Sequence, residues 1–291
     1  MSSNTKKAEE LIAEAEKKVT SRGLFSYLFG NSKKKDEALE CYRTAAILFK
    51  MAKNWSAAGK AFVEVAKLSA KNGDRYDAAI GYVDAANCYK KNDVLDAINC
   101  FIKAIEIYTE MGRFAIAAKH YHTIAELYER EIVDLKLAMQ YYEQAADYYR
   151  GEDNNSSANK CLLKVAQYAA HFGNYEKAVQ VYQEVAYLAL GNALLQYSAK
   201  ESLFKAALCH LCIDVFNTQQ ALESYVKKYP SFNESREYKF LTTLIRHIEE
   251  ENEEGFSVAI KEYDSVSRLD QWHISILLRI KKQLFDSPDL R

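Results

Sequence analysis

Only two prolines, Pro230 and Pro288, and ten glycines occur in 291 residues. A sheet with many hairpins needs more of both at its turns, so β-rich folds are excluded. Acidic and basic residues nearly cancel, 40 against 39, for a formal charge of −1. No global basic field exists to hold nucleic acid, and any electrostatic role must come from local patches. No apolar run has the length to cross a bilayer. No leader is expected, because residues 2–18 are polar and amphipathic, and Ser at position 2 excludes N-myristoylation. The phosphate-cradling and nucleophile motifs GxGxxG, GxxxxGK[ST] and GxSxG are missing, as is the zinc motif HExxH. An enzyme is not expected, nor a cofactor or catalytic metal. Six cysteines (Cys41, Cys88, Cys100, Cys161, Cys209 and Cys212) sit mostly at apolar helical positions. This is the use of thiols as small buried hydrophobes in a reducing, cytosolic setting.

A repeat is present. Ala38, Ala58, Ala78, Ala97, Ala117, Ala138, Ala158, Ala178, Ala199 and Ala221 recur at steps of 19 to 22 residues. A large residue usually follows one helical turn on, as in Tyr42, Phe62, Tyr82, Phe101, Tyr121, Tyr142, Leu162, Tyr182 and Tyr225. The small residue lets helices approach, and the large one fills the groove of a neighbour. Gly73, Gly112, Gly151 and Gly191 fall 39, 39 and 40 residues apart, with Gly173 and Asn92-Asp93 as intermediate turns. Each unit of about 40 residues reads as a helical hairpin. The expected fold is all-α: a TPR-like, right-handed superhelical stack of antiparallel hairpins forming an elongated twisted sheet. The 21 tyrosines suit helices in a thin layer, where a ring is buried while its hydroxyl stays wet. The period fades near residue 228. Residues 229–291 are expected to form a small capping bundle, with Leu241, Leu244, Ile245 and Ile248 on one face. Ile274, Ile276, Leu277, Ile280 and Leu284 make a second apolar set, followed by a polar tail. The two domains are thus 1–228, including the apolar loop 23–30, and 229–291.

Few clusters suggest chemistry. Cys209 and Cys212 are spaced as CxxC but lie inside an apolar helical run, which favours packing over redox work. His120 and His122 are two residues apart on a helix and face different ways, which disfavours a shared metal. The loop 23–30 carries Leu24, Phe25, Leu28 and Phe29 between two glycines, with Lys33, Lys34 and Lys35 after it. It either folds back on the first hairpin or acts as a membrane wedge beside anionic lipid. Lys160 and Lys164 share a helical face, and Lys119 has the corresponding repeat phase one hairpin earlier. Together they read as a basic stripe or as ordinary solvated surface. Residues 249–254 (EEENEE) form an acidic run; a chain basic in one part and acidic in another can meet two partners.

Several strings carry a resemblance: 51–59 (MAKNWSAAG), 104–109 (AIEIYT), 111–114 (MGRF), 155–166 (NSSANKCLLKVA), 261–265 (KEYDS) and 267–272 (SRLDQW). The chain resembles the soluble NSF attachment proteins over nearly its whole length. That resemblance implies an adaptor without catalytic activity. It would bind SNARE four-helix bundles of syntaxin-like, synaptobrevin-like and SNAP-25-like chains, then recruit and stimulate the hexameric ATPase NSF to disassemble them. It implies SNARE-facing roles for Lys119, Lys160 and Lys164, and a membrane-contacting loop at Leu24, Phe25, Leu28 and Phe29. NSF-facing roles fall on Asp214, Glu249, Glu250 and Leu290. Leu24 stands where the family has one of a pair of Phe, Arg246 replaces a further acidic position, and the tail 286–289 is less acidic than usual. A cytoplasmic protein, peripheral on membranes and monomeric when free, is implied. The rival reading is a TPR co-chaperone-type scaffold that clamps peptide termini.

Overall fold

A computed structural model describes residues 3–20, 31–191 and 195–285. Among them there are helices and turns but no strand. The chain divides into two compact units, Met1–Ala158 and Asn159–Arg291. The first holds α1 (Ser3–Thr20), α2 (Asn31–Met51), α3 (Trp55–Asn72), α4 (Arg75–Tyr89), α5 (Val94–Glu110), α6 (Phe114–Leu127), a π-helical turn (Tyr128–Ile132) and α7 (Leu135–Gly151). Helix α8 (Asn155–His171) carries the division. The second unit continues with α9 (Tyr175–Leu190), α10 (Gln196–Leu211), α11 (Val215–Lys228), a 3-10 turn (Pro230–Glu234), α12 (Arg236–Glu249), α13 (Glu253–Val266) and α14 (Gln271–Phe285).

In the first unit each helix packs on the next, α1 on α2 through to α6 on α7. The connecting turns share one construction. Lys53, Gly73, Gly112, Asp153 and Gly173 adopt left-handed backbone, with φ of 57°, 91°, 68°, 55° and 80°. The next N–H then reaches back five residues: Asn54 to Phe49, Asp74 to Ser69, Arg113 to Tyr108, Asn154 to Tyr149 and Asn174 to Ala169, all at 2.8–2.9 Å. This closes the exposed carbonyls of one helix. At Asn54, Asn154 and Asn174 the same residue opens the next helix, its side chain accepting from the N–H of Ala57, Ser157 or Lys177. One residue pair thus ends one helix and starts another, which keeps the hairpins tight.

The marking glycines all fall at helix ends, but not all of them are left-handed. Gly73, Gly112 and Gly173 are the expected turn residues. Gly151 instead ends α7, and the left-handed position falls on Asp153. Gly191 has ordinary right-handed backbone, with φ of −66°. Val133 follows the π-helical turn with φ of 61°. A β-branched residue there is strained by about 1–2 kcal/mol.

The alanine repeat forms the core of both units. Ala38, Ala58, Ala78, Ala97, Ala117, Ala138 and Ala158 are fully buried in the first, and Ala178 and Ala199 in the second. Ala221 is only half-buried. Tyr42, Phe62, Phe101, Tyr142, Leu162, Tyr182 and Tyr225 are buried beside them, each such side chain contributing roughly 1.5–3 kcal/mol. In the second unit α10 is buried nearly all round, because α9, α11, α12 and α14 all pack on it. Phe204 of α10 meets Phe240, Tyr263 and His273, which link it to α12, α13 and α14. Leu241, Leu244 and Ile245 are buried as expected. Of the apolar set in α14, Ile276, Leu277 and Ile280 are buried, together with His273; Ile274 and Leu284 are exposed at the edges of the stripe. Arg279 closes the last turn of α8 by donating to the carbonyls of Ala170 (3.1 Å) and His171 (2.9 Å).

Gly81 shows how near the helices come. A Cβ built on it would lie 2.9 Å from the backbone nitrogen of Ala66 and 3.0 Å from its Cα. Neither backbone atom can swing aside. Gly81→Ala is therefore expected to lose stability by roughly 1–3 kcal/mol from overpacking, despite a helix-propensity gain of about 1 kcal/mol. Urea unfolding tests this; a variant as stable as the parent would show that α3 and α4 have room.

Candidate functional site

Lys119 lies in the first unit, exposed on α6. Its neighbour His120 turns inward and stacks between Phe101 (5.3 Å) and Tyr108 (5.8 Å). Burial, aided by the charge of Lys119, lowers the His120 pKa to about 4. His120 is thus a neutral core aromatic at pH 7. His122 leans edge-on against Tyr142. The two histidines do not converge, and among the described residues no cluster of three or more His, Cys, Asp or Glu could hold a metal.

Lys160 and Lys164 lie in the second unit on α8, one turn apart. Lys160 is exposed and Lys164 half-buried, its ammonium 6.0 Å from the ring centre of Tyr168. Between them Cys161 and Leu162 face the core. The buried face therefore orients the lysine face, as the alanine spacing requires.

The acidic residues form a neighbourhood of their own. Asp214 caps α11: its Oδ1 accepts from the N–H of Asn217 at 2.7 Å, and its Oδ2 from the Asn217 side chain. One turn into α11, Gln219 donates to Oε1 of Glu249 at 2.6 Å, tying α11 to the end of α12. Glu249, Glu250 and Glu251 then form the exposed turn into α13. Glu251 is left-handed, with φ of 49°, and Asn252 caps α13 by accepting from the N–H of Gly255 at 2.8 Å. Carboxylates at the start of α13 are favoured by the helix dipole, but Glu249 and Glu250 sit at the negative end of α12. They oppose the dipole and crowd one another.

Gln219 carries no sequence signal, since an amide on an exposed helical turn is unremarkable. The same holds for Phe216, two residues past Asp214 and 67% exposed. Leu24, Phe25, Leu28, Phe29 and Leu290 lie outside the described residues. Cys209 and Cys212 are buried, and burial raises both thiol pKa values, that of Cys212 to about 12. Protonated, enclosed thiols are poor nucleophiles, which supports their packing role.

Stacked helical hairpins with exposed charge of both signs are the build of a helical-repeat scaffold. The family described as soluble NSF attachment protein matches residues 6–285. The alpha-soluble NSF attachment proteins of Mus musculus and Homo sapiens are each 54% identical over 295 residues, covering all of this chain and all of theirs. A probable vesicular-fusion protein sec17 homolog of Schizosaccharomyces pombe is 36% identical, covering 97% of both chains. The chain belongs to the soluble NSF attachment protein family, a family of adaptors rather than known enzymes. A solved ATPase with a tetratricopeptide-repeat sensor from Pyrococcus horikoshii aligns with 95% of this chain and 44% of its own, at TM-score 0.45 and 16% identity.

Proposed function

We propose that this protein is an adaptor that grips assembled SNARE bundles and brings the NSF ATPase to them for disassembly in vesicle fusion and membrane trafficking. The observation that carries this reading is end-to-end identity of 54% with mammalian alpha-soluble NSF attachment proteins. It favours the adaptor over a co-chaperone-type peptide scaffold.

In this reading Lys119, Lys160 and Lys164 meet the acidic surface of a SNARE bundle. Ammonium groups on flexible stems read charge rather than sequence, which suits a protein that handles many related bundles. Asp214, Glu249 and Glu250 face a basic surface of NSF, with Leu290 engaging the ATPase. The loop residues Leu24, Phe25, Leu28 and Phe29 enter the membrane surface. That single loop binds weakly, so its value lies in raising the local concentration of the other contacts. The protein then works in the cytoplasm, peripherally on membranes, as a monomer until it meets its cargo.

Lys160→Glu combined with Lys164→Glu is expected to weaken SNARE-bundle binding by about 10- to 100-fold near physiological salt, with circular dichroism unchanged. Full binding by this folded variant, measured by pulldown across a salt series, would reject the basic-face assignment. Leu290→Ala is expected to leave bundle binding intact while NSF-driven disassembly slows several-fold. An unaltered rate in a fluorescence disassembly assay removes Leu290 from the mechanism. For the loop, Phe25→Ser with Phe29→Ser should slow disassembly on liposomes and leave the soluble reaction unchanged. Equal slowing in both settings points instead to a loop that packs on the first hairpin.

A further inference from the structure

Helix α12 carries a second charged feature. Arg236, Lys239 and Arg246 are exposed, and steps of three and seven residues place them on one stripe of the helix. Among the described residues none of the three forms an ion pair, whereas neighbouring Glu237 is held by Lys200 at 3.1 Å. The stripe borders a trough between α12 and α13, made of two adjoining hollows of about 320 and 370 Å³ that share Thr243, Ala259 and Glu262. Its other wall exposes Val258 (44%) and Val266 (66%) on α13, with Glu254 and Glu262 beside them. The trough therefore has one cationic wall, one wall that is aliphatic and acidic, and a small residue, Ala259, in its floor.

We propose that the α12–α13 trough is a docking site for an amphipathic helix with an apolar seam, one acidic flank and one basic flank. The acidic flank would lie along Arg236, Lys239 and Arg246, the seam on Ala259, Val258 and Val266, and the basic flank against Glu254 and Glu262. The stripe spans about 15 Å, or roughly three turns of a partner helix. A helix satisfies its own backbone hydrogen bonds, as a trough walled largely by charged and aliphatic side chains requires. A flat anionic bilayer fits poorly, because it would meet Glu254 and Glu262 together with the cations. Arg246 adjoins Glu249 and Glu250 and stands where the family resemblance expects a further acidic NSF-facing position, whereas Arg236, Lys239, Val258 and Val266 carry none of the contacts assigned above.

The probe is a fluorescent, capped helical peptide of about 14 residues with a Leu/Ala seam, Glu along one flank and Lys along the other. Saturable binding to the full chain is expected by anisotropy. Arg236→Gln with Lys239→Gln should weaken it by about tenfold or more, as should exchanging the two charged flanks of the peptide. Val258→Arg should abolish it while circular dichroism stays unchanged. Absence of binding, or binding insensitive to these changes, overturns the proposal. So does binding of phosphatidylserine vesicles in place of the peptide, or self-association that the Gln variants abolish. A chain truncated after Phe285 that binds the peptide about tenfold tighter would assign the trough to the chain's own tail and equally overturn it.

Discussion

Close approach of helix backbones is the constraint on which the rest of the structure depends. Alanines with no exposed surface recur every turn of the repeat, and at Gly81 even a methyl group would meet the backbone of Ala66. Dispersion is lost steeply with a radial gap, so such contacts work only if neighbouring helices hold a fixed separation. A large side chain one turn from the alanine then fills the groove that remains. Tyr142, Tyr182 and Tyr225 are nearly or fully enclosed in this way. Where only one face of a helix is committed to packing, the opposite face is free to carry charge. Lys160 and Lys164 point outward for the same reason that Cys161 and Leu162 point inward.

The helix content, the repeat and the core positions were legible because they rest on a period, and a period survives substitution. The turns were less legible. Glycine marks several of the turns in the sequence, yet Lys53, Val133, Asp153 and Glu251 adopt left-handed backbone at others. Asn or Asp follows each of these four and closes the turn, so the pair carries the signal rather than a single glycine. The edge residues of α14 were not separable from its core, because apolarity at helical spacing does not say how wide the buried stripe is. Ile274 and Leu284 fall outside it.

The site divides along the same line. The lysine pair was legible from helical spacing, and the acidic run from composition. Their surroundings were not. Asp214 and Glu249 are 35 positions apart in sequence, and their connection runs through Gln219, which contacts Glu249 across two helices. Such a link is created by packing and has no periodic trace. Phe216 escaped notice for a related reason: an aromatic residue at the start of an amphipathic helix reads as core until the fold leaves it outside.

The positions of the acidic residues separate structural need from function. Asp214 and Asn252 cap helices, so they stabilise the fold whatever else they do. Glu249 and Glu250 have no such excuse: they lie at the negative end of α12, where carboxylates cost stability and where Lys or Arg would be favoured. Among the described residues, Gln219 satisfies one oxygen of Glu249 with no cation paired to it, and Glu250 reaches only His247, at 3.7 Å. Local departures of this kind, placed against the interest of the helix that bears them, are where selection for a partner outweighs selection for the fold. In the adaptor reading proposed above, a cationic partner surface relieves them. The unpaired cations along the same helix ask for a partner of opposite sign. A single short helix therefore presents two demands of opposite charge at neighbouring surfaces, and one uniformly charged ligand cannot meet both.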